Sequence, residues 1–142
     1  MIKCLPALIG ALALGSLTAM PAMASQMEDA LANGARKLTA EEITKRLADK
    51  TVTFENLNSG AKVLVYYDGE NGTILKPVGS NQTLTGFYAT DLSDHVCVGI
   101  KGDAPMRLRC VNVLLIDGVM HKFELDGSLR GRIIEEVAGN II

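Results

Sequence analysis

The chain contains no tryptophan, only two histidines and only three residues each of tyrosine and phenylalanine among its 142 residues. It also has no excess of basic charge: 14 lysines and arginines face 16 aspartates and glutamates, for a net charge of -2. Attraction to nucleic acid or to anionic lipid draws on clustered lysine and arginine, so this balance excludes a general electrostatic affinity for either. The length suits one folded domain.

Catalytic and metal-binding signatures are missing as well. There is no Gly-x-Ser-x-Gly elbow, and no glycine-rich phosphate loop follows a predicted strand. His95 and His121 have no second ligand-type residue at metal spacing and read as surface or rim residues. The run Asp68-Gly69-Glu70-Asn71-Gly72-Thr73 opens like a calcium loop. It then puts Thr73 where the sharp turn needs glycine, and Gly79 where a bidentate glutamate is needed, so it reads as a turn. Asp91, Asp94 and Asp103 fall in predicted loops, where aspartate serves turn chemistry. Catalysis would require some of His95, His121, Asp91, Asp94 and Asp103 to converge in one pocket, because a general base must reach its proton within about 3 Å. The expectation is a protein that is not an enzyme, with no catalytic residues, no metal site and no cofactor.

What is present starts with an export signal. Lys3 precedes an uncharged apolar run from Leu5 to Leu17, and Pro21 then leads into Ala22-Met23-Ala24. The run falls short of the ~20 residues that a spanning helix needs, and it fits the apolar region of a signal peptide followed by small residues at the cleavage site. Cys4 lies ahead of the run, where no lipid-anchor cysteine would sit. We therefore expect a signal peptide over 1–24, a polar flexible leader over 25–37 and a single β-rich domain over 38–142. The product would be periplasmic or secreted, with no membrane span after cleavage. Cys97 and Cys110 are then the only cysteines left, and an even pair in an oxidising compartment predicts a disulfide. The turn signal Lys101-Gly102-Asp103-Ala104-Pro105 between them puts the two on neighbouring antiparallel strands.

Thr39 and Glu42 form a capping box, and Leu38 and Ile43 a hydrophobic staple, so a helix over 40–49 is predicted, with Ile43 and Leu47 on its buried face. Beyond Lys50 the period changes to that of strands. Seven segments follow: 51–55, 61–67, 73–78, 83–90, 95–101, 106–116 and 119–125, each bounded by turn residues. Asp117-Gly118 favours a type I′ hairpin turn. Pro77 places its strand at an edge or near a strand end. Apolar residues of both parities from Val113 onward suggest a strand covered on both faces. Such short connections leave no room for crossover helices. The fold class is mainly β: an antiparallel meander of about seven or eight strands, as a curled sheet or small barrel, with the amino-terminal helix across one opening or face. Leu129, Ile133, Ile134 and Val137 have helical spacing and suggest a short carboxy-terminal helix, with an eighth strand over 128–134 as the alternative.

Four of the six aromatics occur as the adjacent pairs Tyr66-Tyr67 and Phe87-Tyr88 on predicted strands. Neighbouring residues of a strand face opposite ways, so each pair offers an exposed or cavity-lining ring, and these four are the candidate ligand-binding residues. Arg107 and Arg109 share one parity, with Lys101 across the hairpin; they read as a solvated strand face, with a small basic patch as the alternative.

The capped helix running into Leu47-Ala48-Asp49-Lys50-Thr51 is followed by Tyr66-Tyr67-Asp68-Gly69, Thr85-Gly86-Phe87, Val96-Cys97, Arg109-Cys110-Val111, Asp117-Gly118 and Leu125-Asp126-Gly127. In this order the motifs resemble small exported bacterial proteins grouped as a domain of unknown function with a lipocalin-like β-fold. The resemblance covers about residues 38–131 and implies a fold, a disulfide and export, but no activity. Two functions are expected from these observations. One is a binding module that holds a small apolar ligand or peptide in the mouth of the barrel. The other is a periplasmic interaction protein, such as an enzyme inhibitor or envelope stress factor.

Overall fold

The computed structural model describes residues 23–142, so the expected signal peptide, Cys4 included, lies outside the described residues except for its last two positions. The seven predicted segments all form strands, and the tail supplies an eighth. In chain order the elements are α1 (Gln26–Ala32), β1 (Arg36–Lys37), α2 (Ala40–Leu47), β2 (Lys50–Asn56), β3 (Lys62–Tyr67), β4 (Gly72–Pro77), β5 (Leu84–Thr90), β6 (His95–Ile100), β7 (Leu108–Ile116), β8 (Val119–Phe123) and β9 (Leu129–Ala138). From β2 to β9 each strand pairs antiparallel with the next, and β9 also pairs with β2. The meander therefore closes into an eight-stranded barrel, which leaves it no free edge. Pro77 is the last residue of β4, where its missing N–H costs least. Asp117 and Gly118 adopt φ of 50° and 80°, the left-handed pair that a type I′ turn requires.

Period-two alternation fills the barrel from one parity of each strand. Val52, Val65, Val96, Val111, Val113 and Met120 are buried in it, together with Leu38 and with Ile43 and Leu47 of α2. That helix packs against β2, β5 and β6 and so closes one end of the barrel. Its start is fixed by the expected capping box: the Thr39 hydroxyl accepts from the Glu42 N–H at 3.2 Å, and the Glu42 carboxylate accepts from the Thr39 N–H at 2.9 Å. Asp94, from the turn before β6, accepts from the Ala40 N–H at 2.7 Å and ties the helix to the barrel rim. On β7, Val113 faces inward and Leu114 outward, yet both are buried, as its two-sided apolar pattern suggested.

Two expectations are corrected. Residues 25–37, read as a flexible leader, contain α1 and β1. Ser25 and Glu28 form a second capping box, the Met27 N–H donates to Gly127 O at 2.9 Å, and β1 pairs with Leu114 and Leu115 of β7. This segment crosses the barrel flank on which the outward side chains of Leu114 and Phe123 are buried. The short carboxy-terminal helix is not formed; its alternative, an eighth strand, is, as β9 over Leu129–Ala138, the strand that closes the barrel. Two bulges explain its misleading pattern. Ile134 is an extra residue between Thr53 and Phe54 of β2, and Arg130 is another between Lys122 and Phe123 of β8. Each bulge shifts the inward parity by one, and the apolar residues then fall three and four apart as on a helix.

Candidate ligand-binding cavity

With α2 plugging one end, the interior at the other end is open. The carboxyl ends of β2, β6 and β8 and the starts of β3, β7 and β9 meet there around a cavity of about 390 Å³. This is in the lower part of the ~300–1,000 Å³ range of small-molecule pockets. Its wall has two chemically distinct sides. Phe54, Val63, Val65, Leu75, Val98 and Ile100, from β2, β3, β4 and β6, supply an apolar side. Arg109, Lys122 and Arg130, from β7, β8 and β9, supply a cationic side, with Arg107 and Asp103 at the entrance.

The candidate aromatics separate by parity. Tyr67 lines the cavity. Tyr88 lies inside the barrel but deeper, edge-on to Tyr67 with ring centroids 4.8 Å apart, and its hydroxyl donates to Asp68 O at 2.7 Å. Burial, with the charge of Asp68 next, pushes the Tyr88 phenol above its usual pKa, so it is a neutral donor in the packed core. Tyr66 and Phe87 face outward. Tyr66 is paired with Thr51 and Ile74 on the outer wall, and the Phe87 ring lies over Gly99, in the space that a side chain there would take. Neither lines the cavity, because each is one residue out of register with an inward partner. The ring that sequence reading missed is Phe54. Its signal was its shared parity with Val52 on β2. Gly131 of β9, which pairs with Asn56 two residues further along β2, leaves room for it, since a Cβ there would meet the ring.

Lys122 is the most unusual residue of the site. It is 8% exposed; its ammonium donates to the Tyr67 hydroxyl at 3.1 Å and lies 5.2 Å from the centroid of the Phe54 ring and 5.8 Å from that of Tyr67. Ring faces attract a cation, so the two rings hold it in place together with the hydrogen bond to the Tyr67 hydroxyl. The bulge in β9 turns Arg130 into the same space, with its guanidinium 5.7 Å from the Phe54 centroid. Burial pushes the Arg130 pKa below its usual value and the neighbouring Arg109 lowers it further, while Glu124, 3.5 Å away at the rim, opposes both. Arg107 and Arg109, read from sequence as a solvated strand face with a small basic patch as the alternative, are exposed and also line the mouth.

The histidines lie outside the barrel. His95 pairs with Asn112 and His121 with Leu114, on opposite sides of β7, so about two strand spacings, roughly 10 Å, separate them. His95 Nδ1 is 2.9 Å from Asp91 Oδ2, and His121 Nδ1 is 3.0 Å from Val119 O. Asp103 lines the cavity entrance, whereas Asp91 and Asp94 belong to the turn at the plugged end. Among the described residues no group of three or more His, Cys, Asp or Glu side chains is placed to hold a metal ion. Cys97 and Cys110 are direct cross-strand partners and are joined by a disulfide on the outer face of β6 and β7. No helix of the described residues is long and apolar enough to cross a membrane.

Three exposed carboxylates are held below their usual pKa: Asp91 by the His95 backbone N–H and then its ring, Asp126 by Ser128, and Glu42 by the Thr39 N–H and then Arg36. A carboxyl whose pKa is lower in the folded state stabilises the fold above its unfolded pKa, and that contribution is lost as pH falls through the folded value. The urea midpoint is therefore expected to stay level from about pH 8 to 5.5 and to fall below about pH 4.5. Asp91→Asn should flatten part of that acid slope. An unchanged slope in the variant would show that the Asp91–His95 pair contributes nothing to it.

Comparison with protein-family models, with curated proteins and with solved structures finds no match to this chain.

Proposed function

We propose that the protein is an exported, non-catalytic binding module that holds a small molecule with an apolar body in the open end of its barrel. The observation that carries this reading is the cavity of about 390 Å³. It is far larger than the gaps of a packed core and is closed at the bottom by Tyr67, Tyr88 and α2. Export to the periplasm or medium is part of the same reading. Its support is the signal-type amino terminus and the Cys97–Cys110 bridge, which suits an oxidising compartment. The lipocalin-like assignment rests on the turn motifs and is consistent with an up-and-down eight-stranded barrel.

One observation favours a second reading, a protein that acts through a partner. Leu57, Val78, Leu84, Met106, Leu108 and Leu125, each between 42% and 60% exposed, surround the open end. Apolar residues gathered on one surface can mark an interaction site.

Native mass spectrometry of the exported protein tests both readings. The expected mass is that of a chain starting at Ser25 plus a retained small molecule; a copurifying protein in its place supports the second reading. Val98→Trp, which fills the cavity from the apolar side, should weaken binding of the neutral dye N-phenyl-1-naphthylamine about tenfold or more. Unaltered dye binding in a folded variant would overturn the cavity reading.

A further inference from the structure

We propose that the ligand is an anionic amphiphile: its apolar body lies against the β2, β3, β4 and β6 wall, and its carboxylate or sulfonate head lies against Lys122 and Arg130. This rests on the cavity reading above and names the ligand class for the same site.

The argument starts from an imbalance of charge and donors. An ammonium has three N–H donors, and among the described residues the only hydrogen bond that of Lys122 makes is to the Tyr67 hydroxyl. No carboxylate among the described residues lies within ion-pair distance of it. A charge withdrawn from water is costly unless it is paired, so a buried lysine without a carboxylate is an arrangement that a bound anion would complete. Ring faces offset part of that cost but leave donors free. Arg130 adds a fork of donors beside the same Phe54 ring, and its one carboxylate partner, Glu124, meets it at 3.5 Å from the rim. Arg109, Lys122 and Arg130 follow one another on three adjacent strands, opposite a mainly apolar wall whose polar groups, the Tyr67 hydroxyl and the Asn56 amide, carry no charge to pair with them. A neutral apolar ligand would cover these cations and strip their water without replacing it. A single anionic head on an apolar body satisfies both walls.

A matched pair of dyes separates this proposal from the broader one. 1-Anilinonaphthalene-8-sulfonate and N-phenyl-1-naphthylamine share a ring skeleton and differ by the sulfonate. In fluorescence titrations at neutral pH the wild-type protein is expected to bind the sulfonate about tenfold more tightly or better, because charge-assisted hydrogen bonds are the stronger class. Decanoate should displace it. Lys122→Met should cost the sulfonate about tenfold or more in affinity and leave the neutral dye unchanged or tighter. Arg130→Gln, at a position nearer the rim, provides the same comparison if the lysine variant does not fold. Equal binding of the two dyes, unaffected by either substitution, would overturn the anion proposal and leave the cavity reading standing. Binding of neither dye, with no displacement by decanoate, would overturn both.

Discussion

Ile43→Ala is expected to lower the unfolding free energy by about 3 kcal/mol, within the ~2–5 kcal/mol span of large-to-small core substitutions. The Ile43 side chain is fully buried, and it belongs to the same apolar cluster as Val52, Val96 and Val113 of the barrel interior. Its loss leaves a cavity at the junction of plug and barrel, which the closed ring of strands has little freedom to fill. A domain of this size has roughly 5–15 kcal/mol in total, so the loss is a large fraction of its stability. Lys45→Ala, on the solvated side of the same helix, is the control and should change stability by no more than about 0.5 kcal/mol. Urea unfolding followed by circular dichroism measures both. A loss below about 1 kcal/mol for Ile43→Ala would mean that α2 does not serve as the plug. The open end lies at the far side of the barrel, so dye binding under native conditions should survive the substitution.

Much of this architecture was legible because strand patterning is local. Turn residues every ten or so positions marked seven of the eight barrel strands, and Thr39 and Glu42 marked the start of α2. Closure was left open between a curled sheet and a small barrel, because it depends on β9, whose bulges at Arg130 and Ile134 gave it helical spacing and made the eighth strand only the alternative. The site was half legible for a similar reason. Adjacent aromatics announced that one of each pair would face inward, but parity alone could not say which. On β8 the parity argument points the wrong way: Val119 and Phe123 outweigh Met120 and Lys122 in apolar character, which favours an inward Phe123 and a solvated Lys122. Phe123 is instead buried on the outer flank that residues 25–38 cross, and Lys122 faces the cavity. An inward lysine is visible only once the barrel is closed and its outer cover is in place.

Removing the Cys97–Cys110 bridge is the second change with a large expected effect. The bridge closes a loop of about 14 residues, and restricting the unfolded chain by that much contributes about 3 kcal/mol on the loop-entropy account. The double variant Cys97→Ala, Cys110→Ala tests that figure: the ladder neighbours, Val96 with Val111 and Val98 with Arg109, pair without the bridge, and the lost sulfur of Cys97, which is buried, adds a packing loss to the entropic one. The fold should persist, with a melting temperature lower by roughly 10 °C or more. The effect should reach the site as well. The bridged segment includes the 101–107 loop, which carries Asp103 and Arg107 at the cavity entrance. Without the tether the hairpin end can fray, and the sulfonate dye should bind more weakly while the plugged end keeps its hydrogen-exchange protection. Thiol titration of the denatured, unreduced mature protein supplies the control and should find no free cysteine. A stability loss below about 1 kcal/mol in the double variant would show that the unfolded chain already holds this hairpin closed, so that the bridge restricts little that was free.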